Sequence, residues 1–318
     1  MSLDLYNIKK WVKMLSNRSI MHVNQDLGKV ISNNPKKVMG YYNNLTDKVI
    51  LQPNLLHTDT LPVYKTRQGE HVVFPVDVFQ YGLGAYDLFL MTSKDLYKKK
   101  FLQCVEWAYM NQEESGGWNT FFFIYPEAPY GAMAQGEGTS LLIRGYYETG
   151  DCNYLHAAKK AIDFMLKPIN KGGTTQYTSS GDIFFHEYTH LPLVLNGWIF
   201  ALFGLYDLSL AIKEENKYSH IFRMAESTLL KTLDKFDCGY WSFYDLGKKL
   251  ASPFYHRLHI AQMQALELLT NNQAYNDFAM RLIKYQSNKI YYSYAFIKKA
   301  YQKVDTLIIY NKNRLAVV

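Results

Sequence analysis

Only three cysteines occur in 318 residues, at positions 104, 152 and 238. An odd number at such wide spacing excludes a disulfide framework and a CxxC metal site, and it favours a reducing compartment. Nine prolines and a charged fraction of 20% are too few for a disordered chain, while 48% apolar residues supply a large core. Long hydrophobic runs are also missing. Leu191 to Tyr206 is interrupted by Pro192, Asn196 and Gly197 and falls short of the roughly 20 residues a bilayer span needs, so it reads as a buried helix. Residues 1–40 contain no continuous apolar segment of the signal type, which gives the expectation of a cytoplasmic protein without a membrane span.

The sequence is rich in tyrosine, 27 against 18 Phe and 5 Trp, and carries a net charge of +7. Position matters more than the sum. Residues 1–40 hold seven Lys or Arg against two acids and residues 281–318 eight against one, so the segment between them has five more acids than bases. The body is slightly acidic and the ends are basic, and a nucleic-acid partner is not expected.

Periodicity gives the architecture. Val78 to Trp107, Ala132 to Met165, Leu193 to Leu233 and Ile260 to Tyr285 share one order of events: an apolar helical run, a short polar turn, a tyrosine, then an amphipathic run. The tyrosines, Tyr97, Tyr154, Tyr218 and Tyr275, recur at intervals of 57, 64 and 57 residues. The first helix of each pair is apolar on most faces and the second has one wet face. The expected fold is mainly α, an incomplete (α/α) barrel or toroid of about four helical hairpins. The expected organisation is a helical N-terminal segment with a β-hairpin over 1–75, a catalytic barrel over 76–304 and a tail over 305–318. Leu61 to Val76, Trp118 to Tyr125, Thr174 to Tyr188 and Asp237 to Asp245 read as β-hairpin insertions or extended loops. The tail after Asp305 carries no clear signal.

Three groups of residues invite chemistry. His186-Glu187-Tyr188-Thr189-His190 is an HExxH pattern, which in a zinc protease needs both histidines on one helix face. The preceding Asp182 to Phe185 reads as strand and Pro192 disfavours helix at Leu191, so no metal is expected. Gly136-Glu137-Gly138 lacks the third glycine and the leading strand of a dinucleotide site, and no cofactor follows from it. Tyr188, Tyr244 and Tyr255 have polar neighbours. A phenol becomes a usable acid or base where cations hold the phenolate, and Arg257 with His256 and His259 could do so for Tyr255.

Several motifs in one order resemble the glucuronyl C5-epimerases, which convert glucuronate to iduronate in heparin-like chains. They are Gln80-Tyr81-Gly82-Leu83, Ala132 to Gly138, Glu187-Tyr188, Val194 to Gly197, Gly204 to Leu208, Tyr244-Asp245-Leu246 and Tyr255-His256. The resemblance covers about residues 41–285. It implies an (α/α)-barrel catalytic domain with a β-rich N-terminal portion, a homodimer, and an acidic polysaccharide of heparosan or heparan type, with a glucuronate/N-acetylglucosamine repeat, as substrate. It also implies Glu187, Tyr188, Tyr244 and Tyr255 as acid–base residues. Three positions depart from the pattern: His186 stands where a second acid is common, Thr189 where proline is common, and Gly247 where vertebrate members have arginine.

Inverting C5 requires proton removal on one face and return on the other, so two groups must flank the ring. Glu187 and Tyr255 are the expected pair, with no redox cofactor. Substrate contacts are expected from Arg67, Gln80, Tyr81, Gln135, Glu137, Asn196, His256, Arg257 and His259. A uronate lyase shares the first step. A toroid glycoside hydrolase would need a second carboxylate, for which Glu137 or Asp245 is available. A zinc protease and a non-catalytic polysaccharide-binding protein are the more distant readings.

Overall fold

The chain is described from a computed structural model covering residue 9 and residues 12–14, 19–31, 34, 37–66, 69–212 and 217–315, with the backbone alone over 304–315. It is mainly helical. A short helix α1 (Thr46–Ile50) precedes a two-stranded antiparallel hairpin, β1 (Tyr64–Lys65) with β2 (His71–Val72). Four helical hairpins follow, in agreement with the periodicity. They are α2 (Pro75–Thr92) with α3 (Asp95–Met110), α4 (Ala132–Thr149) with α5 (Cys152–Met165), α6 (Leu195–Ala211) with α7 (Lys217–Thr232), and α8 (Pro253–Thr270) with α9 (Gln273–Ser287). A second antiparallel hairpin, β3 (Thr175–Tyr177) with β4 (Ile183–Phe185), lies between the second and third pairs. A long helix α10 (Lys289–Leu315) ends the described chain.

The inner helices are α2, α4, α6 and α8. Every residue of α6 from Leu195 to Leu208 is buried, as is α2 from Pro75 to Leu88, because these helices are walled by neighbours on all sides. The outer helices keep one apolar stripe: α5 buries Tyr154, Ala157, Ala158, Ala161, Ile162 and Met165 while Lys159 and Lys160 face water. Inner helices α4 and α6 approach closely at Gly136 and Gly204, where a Cβ on either would collide with the other's backbone. Glycine is required there by space, not by backbone conformation.

The recurring tyrosines have a structural job. Tyr154 donates to Glu106 on α3, Tyr218 to Asp163 on α5 and Tyr275 to Glu226 on α7, each at 2.9 Å. The second, third and fourth outer helices are thereby each tied to the one before. For three of the four recurring tyrosines, the repeat seen in the sequence is the repeat of this bond.

The structure sharpens several expectations. Of the two forms expected for Trp118 to Tyr125, hairpin or loop, it takes the loop, ending in a turn whose Thr120 and Phe121 N–H groups both donate to Pro129 O. Asp237 to Asp245 forms isolated bridges, Asp237 with Ser242, Phe243 with Leu250 and Val194 with Asp245, not a hairpin. In the N-terminal segment the described residues 9 and 12–14 are helical, as expected, whereas residues 19–31 contain no helix and Leu27 bridges to Asn43; much of the rest of the segment lies outside the described residues. The segment after Asp305 continues α10 to Leu315. All three cysteines are free. Among the described residues, no helix is long and apolar enough to cross a membrane.

Candidate active site

Three connections meet at one end of the inner helices. After β4, His186 N donates to Thr174 O and His186 O accepts from Ala132 N, which pins this segment to the first turn of α4. Farther on, Leu195 N donates to Tyr244 O and Leu246 N to Leu193 O, pinning it to the segment before α8. Ser252 caps α8 by accepting from Tyr255 N at 3.4 Å, with Pro253 at the first helical position. These local rules bring Glu187 and Tyr188, Tyr244, and Tyr255 to one place from three separate parts of the chain.

Glu187 is the buried member and the three phenols are partly exposed. Its carboxylate lies over the first turn of α6, so close that a Cβ at Gly197 would collide with it. Burial raises its pKa to about 7, and a hydrogen bond from the Tyr188 hydroxyl opposes the rise. The other oxygen, Oε2, is buried without a hydrogen-bond partner among the described residues. Tyr244 and Tyr255 meet with ring centroids 4.8 Å apart, and their hydroxyls are hydrogen-bonded. Burial, then the Glu187 charge, pushes all three phenols above the ordinary tyrosine value. At neutral pH they are hydroxyls, and Glu187 alone titrates near neutrality.

Two of the three cations expected beside Tyr255 are neutral here. His256 and His259 are buried, and burial lowers each pKa to about 3, so both are neutral. His256 stacks on Trp241 at 3.6 Å and its Nε2–H donates to Leu282 O. Its Nδ1 is therefore an acceptor, facing Ser242 N at 3.2 Å and Ser242 Oγ at 2.8 Å. The same Oγ lies 3.0 Å from His259 Nδ1, while His259 Nε2 is buried without a partner among the described residues. Arg257 is two positions from Tyr255 on α8 and so leaves the helix on a different face.

The remaining expected contacts divide. Asn196 lies in the first turn of α6 with Oδ1 buried and unpaired among the described residues, and its backbone oxygen accepts from Gln262 Nε2 at 3.2 Å. Gln80 donates to Glu137 at 2.9 Å, and Glu137 is fully buried with its pKa raised to about 8, chiefly by burial. Tyr81 is buried, its hydroxyl on Gln52 O at 3.3 Å. Gln135 is buried and clamps Trp118, accepting from its N–H at 3.1 Å. Gln80, Tyr81, Gln135, Glu137 and His256 are thus buried, and their hydrogen bonds run within the protein. Arg67 lies outside the described residues.

Gln135 acts at one remove. The Trp118 turn it holds carries Phe121, which stacks on Tyr188 at 4.8 Å, and Tyr125, which meets Tyr188 edge-on at 5.8 Å. Sequence reasoning missed this wall and also missed His22, whose ring meets Tyr255 edge-on at 5.9 Å. The run Phe121-Phe122-Phe123 was a signal for the wall; residues 19–31 have no periodicity that could have announced His22.

The HExxH segment is a turn, not a helix. His186 Nε2 donates to Gln176 Oε1 at 2.9 Å and His190 is exposed against Tyr125, so the two histidines do not share a helix face. Among the described residues, no group of three His, Cys, Asp or Glu is placed to hold a metal ion.

Comparison with known proteins bears on this geometry. Residues 108–284 match the family described as D-glucuronyl C5-epimerase C-terminus. A D-glucuronyl C5-epimerase of Caenorhabditis elegans is 27% identical over 224 residues, covering 62% of this chain and 36% of its own length. An uncharacterized protein of Methanocaldococcus jannaschii is 29% identical over 150 residues, 46% of this chain and 48% of its own. The chain therefore matches less than half the length of these curated relatives.

Proposed function

As this chain belongs to the family of the D-glucuronyl C5-epimerase C-terminus, we propose that it inverts C5 of glucuronate to iduronate in a heparosan-like polysaccharide. The observation that carries the proposal is the convergence of Glu187 with three phenols around a buried carboxylate that titrates near pH 7. An epimerase needs one group able to hold a proton and one able to give it, poised at the working pH.

The proton balance closes on two residues. The Glu187 carboxylate takes the C5 proton, and the C–H electron pair passes into the adjacent C6 carboxylate as an enediolate. The Tyr255 hydroxyl then delivers its proton to C5 from the opposite face, leaving a phenolate. The reverse direction interchanges the two roles. One negative charge is shared throughout, and the repulsion between Glu187 and Tyr255 that raises the phenol's pKa keeps both from ionising together. A proton passing from Glu187 to the phenolate resets the site. Tyr188 and Tyr244 are the donors for the charge that develops on the C6 carboxylate. The N-terminus of α6 favours the same negative charge. Proton removal and return require no redox cofactor.

A polysaccharide lyase would begin with the same abstraction and then expel the C4 oxygen. Incubation of heparosan in deuterated water separates them: deuterium at C5 of intact chains is expected, and unsaturated ends with chain shortening would overturn the assignment. Running N-sulfated polymer in parallel reads whether sulfation matters. A glycoside hydrolase is disfavoured because Glu137 is sealed behind Gln80 and Asp245 accepts from Lys249 N at the turn below Tyr244. A homodimeric assembly is part of the proposal.

A further inference from the structure

A cation lies against the ring of Tyr244, and it comes from helix α10, beyond the matched residues 108–284. The Lys299 ammonium stands 6.0 Å from the ring centroid. Tyr292, Ala295, Lys299 and Gln302, spaced by three, four and three residues, share the side of α10 that faces the body. Tyr292 meets Trp241 edge-on at 5.6 Å, and Ala295 is buried in a small cluster with Trp241, Leu250 and Ala251, on which Tyr244 and Tyr255 also pack. The helix binds both backbone groups of Leu250, whose N–H donates to Gln302 Oε1 at 3.0 Å and whose carbonyl accepts from Lys299. Lys299 is thereby fixed at the edge of the site.

A second lysine joins it. Tyr244 N donates to Lys249 O at 2.6 Å and Phe243 bridges to Leu250, so Tyr244 and Lys249 are cross-strand partners whose side chains share a face. The turn between them is closed by Asp245, which accepts from Lys249 N at 3.2 Å, and by Lys248 at φ 62°. Asp245 is buried, and Lys249 Nζ stands 3.8 Å from its carboxylate, a loose pairing that leaves the lysine side chain 55% exposed. Among the described residues, no carboxylate lies within ion-pair distance of Lys299. Burial, then the charge of Lys303, lowers its pKa to about 8, and the Asp245 charge opposes the fall. Three ammonium groups thus share one carboxylate.

A half-buried ammonium beside like charges and short of counter-charge gains from an anion. It has three N–H donors, of which one is taken by Leu250 O. The proton-transfer group itself, one carboxylate and three neutral phenols, offers an anionic polymer no counter-charge. We propose that Lys299 and Lys249 form a cationic subsite beside Tyr244 for an anionic group, carboxylate or sulfate, of the bound polysaccharide. The inference rests on the acidic-polysaccharide reading above and gives α10 a part in substrate recognition. The subsite holds the polymer and moves no proton, so its loss falls on KM and not on kcat.

The test is calorimetric titration of the full chain with heparosan and with N-sulfated heparosan, beside C5 exchange in deuterated water, with far-UV circular dichroism as the fold control. Lys299→Gln is expected to weaken binding about tenfold and to raise KM by the same factor with kcat unchanged. Lys249→Gln, at an exposed position that fastens no helix, should weaken binding about threefold. Lys299→Arg keeps the charge and should stay within about threefold of the native chain. Equal losses on the two polymers identify the anion as a carboxylate, and a loss confined to the N-sulfated polymer identifies it as a sulfate. Unchanged affinity for both polymers in Lys299→Gln overturns the proposal, as does native affinity in Lys249→Gln. A Lys299→Arg protein as weak as Lys299→Gln also overturns it, since the lysine would then only fasten α10. Lysine-dependent binding without C5 exchange would sink the reaction and leave the subsite standing, whereas exchange with a KM indifferent to both lysines would sink the subsite alone.

Discussion

At the C-terminal end of the inner helices, Asp207 of α6 receives the Arg144 guanidinium at 2.7 Å and the Tyr42 hydroxyl at 2.5 Å, and Arg144 also donates to Gly40 O at 3.0 Å. About 15 Å away along α6, at its N-terminal end, Glu187 is buried with a phenol for a partner and one oxygen unpaired among the described residues. Both ends remove a carboxylate from water, which is costly unless the charge is matched. At the closed end a guanidinium matches it, and the cluster ties the N-terminal segment to two inner helices. At the open end burial is left uncompensated, and the pKa of Glu187 moves to about 7. The first arrangement serves the fold and the second holds a proton-transfer group at a working pKa.

Substitutions at the two ends should therefore separate activity from stability. Glu187→Gln and Tyr255→Phe are expected to lower C5 exchange by about 10²–10⁴-fold with the unfolding midpoint little changed. Arg144→Met, which strands the buried Asp207 carboxylate, should cost about 3–5 kcal/mol in denaturant unfolding, while the exchange rate per folded molecule stays near that of the native chain. A third substitution tests position alone. Gly197→Ala forces its methyl group against Glu187, and displacement of the carboxylate should cost about tenfold in exchange and about 1–3 kcal/mol in stability.

The pH dependence sharpens the same contrast. Burial raises Asp87 to about 7, Glu137 to about 8 and Glu187 to about 7, so the folded chain holds protons that the unfolded chain releases near ordinary carboxylate values. Their stabilising contribution is complete below about pH 4 and is lost as pH rises toward 8. Glu137→Gln should flatten this decline by roughly 1–3 kcal/mol, read from unfolding midpoints at pH 5 and pH 8. Exchange in the direction where Glu187 acts as base should rise through pH 7, opposite in sign to the stability trend. The smallest effect is expected far from both ends: Tyr154→Phe removes one outer-helix tie to Glu106 and should cost about 1 kcal/mol with exchange unaltered.

The helical hairpins were legible because a 3.6-residue pattern is written into each helix, and the recurring tyrosines marked the turn in every pair. Trp118 to Tyr125 was ambiguous because its aromatic run has strand composition, whereas its hydrogen bonds go to Pro129, a long-range choice that composition does not encode. Glu187, Tyr188, Tyr244 and Tyr255 were legible as a group through family-like motifs, and the structure brings them together. Their electrostatics were not legible. Arg257 and two histidines near Tyr255 in sequence suggested a held phenolate, but helix geometry sends Arg257 elsewhere and burial keeps His256 and His259 neutral. Gln135 shows the same limit, since only the folded chain shows that its amide grips Trp118.

The central claim is that the open end shares one proton vacancy between Glu187 and Tyr255. Deuterium incorporation at C5 of heparosan, compared among the native chain, Glu187→Gln, Tyr255→Phe and Arg144→Met, tests it most directly. The account predicts incorporation into intact chains by the native and Arg144→Met proteins and near-complete loss in the other two. Undiminished incorporation in Glu187→Gln or Tyr255→Phe would contradict it.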